Sequence, residues 1–324
     1  MKKYVILIAV ISLIWSFTAN GNAYQNNEES STSSDQDVVL EMENINIHGS
    51  LRVPDGDGKH PVVLIIAGSG PTDRNANNMM GLKTNAYKMI SDTLAAHGIA
   101  SLRYDKRGIA ESTYEGFSES DLTFDDYVND AAEWLKMLKA EERFDEVFIL
   151  GHSEGSLIGT IVASKYDIAG LISAAGTAQK ADSILLEQLS KQGVSYLDKA
   201  KEIFDSLNAG KTVDIQDPNL QMIFRNSVQP YMISWIKYDP VAVMSEVDCP
   251  VLVIHGEKDI QINYKEAQKL ADTNPEAEAV VLEEMDHVLK NLSGVYMETY
   301  SNPELPLSPE FSEEIVSFIK SNSK

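Results

Sequence analysis

One cysteine, Cys249, stands in a chain of 324 residues. An intramolecular disulfide framework is therefore excluded, even in an oxidising compartment. Its setting, Asp248-Cys249-Pro250 at the mouth of an apolar run, suits a small buried hydrophobe better than a reactive thiol. Positive charge is also scarce. Lys and Arg number 27 against 49 Asp and Glu, which leaves a net charge of −22. Nucleic acid and anionic membrane surfaces are excluded as partners, because their phosphates would be repelled. The acidity reads as a device for solubility. A membrane-length apolar run is missing too. Tyr4 to Phe17 is nearly all apolar but only about 14 residues long, where a span needs about 20. There is no internal repeat. No metal-ligand spacing such as His-Glu-x-x-His occurs, so no metal or organic cofactor is expected.

That short apolar run nevertheless has a use. Met1-Lys2-Lys3 supplies a basic start, and Ala19-Asn20-Gly21-Asn22-Ala23 supplies small residues at cleavage-site spacing. Residues 1–23 thus read as a secretory signal peptide cut after Ala23. The expected product is exported, periplasmic or extracellular, with no stable membrane anchor. Residues 24–37 are polar without apolar period and read as a disordered linker. One globular unit is expected over residues 38–324.

Within it, Val38 to Glu43 and Ile45 to Val53 alternate like strands of an antiparallel pair. The pattern then changes to continuous apolar runs, at Pro61 to Ala67, Ile99 to Tyr104, Glu146 to Leu150, Ile168 to Ala174, Pro250 to His255 and Ala279 to Glu283. Such runs fit strands buried on both faces. Helical periodicity separates most of them, at Asn85 to His97, Thr123 to Ala140, Ser153 to Lys165 and Tyr264 to Ala271, and Pro309 to Ser321 closes the chain. Alternating strand and helix predicts an α/β architecture with a mostly parallel sheet. One stretch, about residues 177–247, is helical throughout. An insertion of that length is expected to cap the active site, the alternative being a small structural domain.

The chemistry centres on Gly151-His152-Ser153-Glu154-Gly155, a G-x-S-x-G pattern. The apolar strand Val147-Phe148-Ile149-Leu150 runs into it and the buried helix from Ser156 to Ala163 leaves it. Strand, sharp turn and helix are what a nucleophile elbow requires. Side chains at 151 and 155 would collide with the adjoining elements, and the N–H of Glu154 is left at a helix N-terminus.

At these residues the chain resembles the α/β-hydrolase superfamily, in particular bacterial carboxylesterases grouped with serine-aminopeptidase-like hydrolases. Ile66-Ala67-Gly68-Ser69-Gly70-Pro71-Thr72-Asp73-Arg74, Leu102-Arg103-Tyr104-Asp105-Lys106-Arg107-Gly108 and Val253-Ile254-His255-Gly256-Glu257-Lys258-Asp259 look like three further loops of that fold. The resemblance implies an eight-stranded sheet with helices on both faces and a helical cap. It also implies the order nucleophile, acid, base. Of the six histidines, only His287 lies late enough to be the base. His48, His60 and His97 read as surface or structural residues, and His152 would flank the serine. Asp259 is the expected acid, with Glu257 as rival and Asp286 discounted. The resemblance puts the oxyanion donors at the N–H groups of Glu154 and Ser69, with Gly70 next in line. Many relatives carry His-Gly at that loop where this chain has Ala67-Gly68, so the loop's anchoring is left open; an ion pair between Asp73 and Arg74 is one candidate, and Asp105 and Arg107 read as further loop-holders.

Cleavage of a small-molecule carboxylic ester is the activity these residues suggest. A peptidase or amidase with the same triad is the alternative, using acidic cap residues Asp182, Glu187 and Glu202 to hold an amino terminus. A secreted binding protein on a hydrolase scaffold is a third reading, disfavoured because candidates for all three catalytic roles are present.

Overall fold

The computed structural model describes residues 34–292, 294–295 and 297–324. The expected signal peptide, and the expected linker as far as residue 33, lie outside them. The linker's last residues do not behave as linker. Strand β1 begins at Gln36, two residues before its expected start, and Asp35 pairs with Arg52 at 2.9 Å and with the buried Arg103. Two guanidiniums need a carboxylate there, and Asp35 supplies it.

The architecture is that of an α/β-hydrolase fold. Strands β1 (Gln36–Glu41), β2 (Asn46–Arg52), β3 (His60–Ile66), β4 (Ala100–Tyr104), β5 (Phe144–His152), β6 (Gly170–Ala174), β7 (Val251–Gly256) and β8 (Ala277–Leu282) form one sheet. Their order is β1-β2-β4-β3-β5-β6-β7-β8. β1 and β2 are antiparallel to their neighbours, and the strands from β3 to β8 run parallel.

The continuous apolar runs are explained by burial on both faces. In β3, Val62, Leu64 and Ile66 pack into one core and Val63 and Ile65 into the other, the two-residue alternation of a strand. Helices Phe124–Ala140 and Glu154–Ala163 cover the first face; helices Ala86–Ala96 and Pro309–Asn322 cover the second. Thr123 caps the helix it precedes through a reciprocal bond with Asp126, which holds that helix's start in place.

Five α-helices and one short 3-10 turn, from Ala181 to Met244, fill the interval between β6 and β7. Their apolar residues continue the core of the sheet's first face, with Phe204 edge-on to Phe224 at 5.0 Å between ring centres. They are tied to the sheet domain where Ser234 Oγ accepts the N–H of Phe124 at 2.7 Å. The chain reverses its winding between β3 and β5, so a crevice opens at the carboxyl ends of these strands, the usual ligand position in such sheets.

Candidate active site

Ser153 sits at that crevice, between β5 and the helix Glu154–Ala163, with φ 55° and ψ −117°. A non-glycine residue there is strained, and the surroundings hold it. A Cβ on Gly151 would fall 2.1 Å from the Gly155 carbonyl oxygen, and one on Gly155 would fall 2.3 Å from that of Ile66. Both positions therefore admit glycine alone, which lets the helix start directly against β3. The N–H of Glu154 opens the helix, where the first turn's donors have no partner inside it.

The loops after β7 and β8 bring Asp259 and His287 together. His287 Nδ1 donates to Asp259 Oδ2 at 2.6 Å. Asp259 Oδ1 accepts the N–H groups of Gln261 and Ile262 at 2.7 and 2.9 Å. Burial works to raise the Asp259 pKa, but the His287 ring and these donors outweigh it and hold the carboxyl below its ordinary value. With Nδ1–H committed to Asp259, the neutral ring leaves Nε2 free to accept a proton. Ser153 and His287 line one cavity without a hydrogen bond between them. Such contacts in ligand-free sites are often long and tighten with substrate. Glu257 is exposed. Asp286 is consumed locally, accepting from the Val288 N–H at 3.0 Å and from Thr299 Oγ1 at 2.5 Å.

The loop after β3 is anchored at Gly68 by Tyr87 and Lys106, residues that no motif marks. Gly68 N–H donates to the Tyr87 hydroxyl at 3.0 Å, and that hydroxyl donates to His152 Nδ1 at 2.8 Å. His152 Nε2 contacts the His287 carbonyl at 2.7 Å. A carbonyl only accepts, so Nε2 carries the proton and Nδ1 receives Tyr87. Burial, then the neighbouring His287, push the His152 pKa down to about 3. His152 is thus a neutral strut joining the turn at Ser153 to the loop that carries His287. The other side of Gly68 is held by Lys106, whose Nζ donates to the Gly68 carbonyl at 2.6 Å and to Glu154 Oε1 at 3.3 Å. Glu154 Oε2 accepts the Tyr231 hydroxyl at 2.6 Å, which ties the elbow to the inserted helices. The Gly68 N–H is spent on Tyr87; Ser69 lines both cavities described below, whereas Gly70 lines neither.

Other expectations fared differently. Arg74 does not pair with Asp73. Its guanidinium reaches Asp105 at 2.6 Å and also Glu111, while Asp73 Oδ1 accepts the N–H groups of Asn75 and Asn77. A neighbouring carboxylate turned into its own loop cannot also meet the guanidinium. Arg107 pairs with Asp130 at 2.5 Å. His255 Nε2 lies 3.7 Å from Asp259 Oδ2, so this carboxylate lies between two imidazoles. His60 and His97 contact the backbone carbonyls of Gly98 and Thr93, away from the crevice. Among the described residues no three His, Cys, Asp or Glu side chains gather so as to hold a metal ion.

Two cavities meet at Ser153. The larger, about 220 Å³, includes Gly68, Ser69, Leu82, Tyr87, His152 and His287 in its wall. The smaller, about 50 Å³, lies under the inserted helices beside Glu154, Ile184, Leu185 and Trp235. Ser69, Ser153 and Gln261 belong to both. The one acidic side chain on these walls is Glu154; Asp182, Glu187 and Glu202 lie on neither.

A family model described as serine aminopeptidase, S33, matches residues 80–291. Esterase EstD of Thermotoga maritima is 25% identical over 246 residues, 74% of this chain and 57% of that relative's length, so the chain spans a little over half of it. Among solved structures, Est1E from Butyrivibrio proteoclasticus superimposes with a TM-score of 0.60 at 15% identity, covering 88% of this chain and 98% of its own. A proline iminopeptidase from Mycobacterium smegmatis gives 0.56 at 16% identity, with 89% and 98% covered. At such identities these structural likenesses speak for the fold.

Proposed function

Since the chain belongs to the serine aminopeptidase S33 family of hydrolases, we propose that it cleaves carboxylic esters with Ser153 as nucleophile, His287 as general base and Asp259 as the acid that orients it. The observation that carries the proposal is the 2.6 Å bond from His287 Nδ1 to Asp259 Oδ2 on a ring that shares a cavity wall with Ser153. Ser153 Oγ attacks the acyl carbon as its proton passes to His287 Nε2. The N–H groups of Ser69 and Glu154 receive the developing oxyanion. The alcohol leaves with the proton from His287, and a water molecule, deprotonated by the same ring, releases the acid from the serine.

An ester is favoured over a peptide with a free amino terminus by the acidic residues. An ammonium group needs an uncommitted carboxylate. Glu154 already answers Lys106 and Tyr231, Asp182 takes Asn208, and Glu187 takes Gln179 and Lys191. Rates on p-nitrophenyl acetate and on aminoacyl p-nitroanilides test the choice. Ester turnover that disappears in Ser153→Ala supports it; faster anilide cleavage transfers the protein to the peptidases. Export through the leader at residues 1–23 belongs to the proposal and is checked by sequencing the mature N-terminus, expected at Tyr24.

A further inference from the structure

The two cavities at Ser153 are unequal, and only one is bounded by His287. We propose that the smaller cavity, beneath the inserted helices, receives the acyl part of the ester, and that the larger receives the departing alcohol. This rests on the ester-hydrolase reading above and adds the division of the substrate.

The argument follows from the tetrahedral intermediate. Its carbon carries the Ser153 oxygen, the oxyanion, the acyl chain and the leaving oxygen. The oxyanion lies between the N–H groups of Ser69 and Glu154. The bond to the alcohol breaks as that oxygen takes the proton from His287 Nε2, so the alcohol must occupy space within reach of His287. The larger cavity has His287 in its wall and the smaller one does not. The acyl chain is left the remaining direction, toward Leu157, Ile184, Leu185 and Trp235.

Volume then sets size. A single water-sized position takes about 10–15 Å³ on this scale. The smaller cavity, about 50 Å³, thus holds about three to five such positions, which suits acyl chains of about two to five carbons. The larger, about 220 Å³, holds over a dozen and accommodates a ring-bearing alcohol. Its wall mixes Met80, Leu82 and Val288 with Asn78, Thr84 and Tyr300, so polar substituents on that alcohol find partners. The wall of the smaller cavity also mixes Leu157, Ile184 and Leu185 with Thr177, Gln179 and Gln188, so it is size that restricts the acyl chain there.

Two ester series test the division. One varies the acyl chain from acetyl to decanoyl on p-nitrophenol, and the other varies the alcohol of an acetate from ethyl to naphthyl. The unaltered protein is expected to prefer about two to five acyl carbons and to lose more than tenfold in kcat/KM by eight. Leu185→Ala is expected to move the acyl optimum to longer chains without changing the alcohol profile. Leu82→Trp is expected to lower kcat/KM for naphthyl acetate at least tenfold relative to ethyl acetate, with the acyl profile unchanged. Should Leu185→Ala fail to fold, Leu185→Val reads the same shift at smaller amplitude. If Leu185 variants change alcohol preference, or Leu82→Trp changes acyl preference, the division is wrong while ester hydrolysis stands. If no ester in either series is turned over, the ester reading falls and this inference with it.

Discussion

Tyr87 and His152, which stand on helix Ala86–Ala96 and at the end of β5, share a hydrogen bond of 2.8 Å. The same hydroxyl receives the Gly68 N–H at 3.0 Å, so one oxygen spaces the loop after β3 from the turn at Ser153. Tyr87→Phe removes both contacts and leaves the ring's packing. Because the loss concerns positioning, kcat is expected to fall about 10- to 100-fold with KM changed less than about threefold. A change in KM with kcat intact would assign Tyr87 to substrate binding instead.

Lys106 is buried with Glu154, their side chains 1% and 2% exposed, and its ammonium also lies 4.8 Å from the centre of the Tyr127 ring. Lys106→Met strands a buried carboxylate, which typically costs about 3–5 kcal/mol. Adding Glu154→Gln removes that charge, so the double variant is expected to be at least about 1 kcal/mol more stable than Lys106→Met alone. Urea unfolding midpoints decide; a double variant no more stable than the single one would show that the pair's charge is unimportant.

Acid should loosen this site. His152 titrates near pH 3 when folded, below its ordinary 6.5, because burial and His287 disfavour its charge. The unfolded chain therefore takes up a proton on falling from pH 6.5 toward 3 that the native chain refuses. Stability from this group is present above about pH 6.5 and is lost as pH falls, by about 1.4 kcal/mol per unit. Burial lowers the His255 pKa as well, and adds to the slope with the same sign. His152→Gln is expected to reduce the slope of unfolding free energy between pH 6 and 4 by about 1.4 kcal/mol per unit. An unchanged slope would contradict the buried, neutral state of His152.

The elbow was legible in the sequence because its strand, turn and helix are consecutive and its glycines are demanded by local crowding. The pairing of Asp259 with His287 follows from the order that the family resemblance implies. Tyr87 and Lys106 were not legible. They reach Gly68 across 19 and 38 residues, by the packing of a helix and of the loop after β4, and no spacing rule encodes that. The same cause hid Asp35, whose partners Arg52 and Arg103 come from two other strands. Leu185, Leu189, Phe204, Phe224 and Trp235 all belong to the core, and of these only Leu185 and Trp235 also border the small cavity, a distinction set by helix orientation and not by composition.

Asp259→Asn and Glu257→Gln separate the two carboxylates that compete for the acid's role in sequence. Asn cannot hold the imidazole in the required tautomer, and losses of about 10⁴-fold in kcat are typical of that change. Exposed Glu257 is expected to tolerate Gln within about twofold in kcat/KM. The reverse ranking would move the acid to Glu257.

The most direct measurement is covalent labelling of the nucleophile. Incubation with a p-nitrophenyl alkylphosphonate, followed by intact-mass and peptide analysis, is expected to add one phosphonyl group at Ser153, in step with loss of ester turnover. Ser153→Ala should take up none. Full inhibition with the label on another residue, or equal labelling of Ser153→Ala, would contradict Ser153 as the nucleophile.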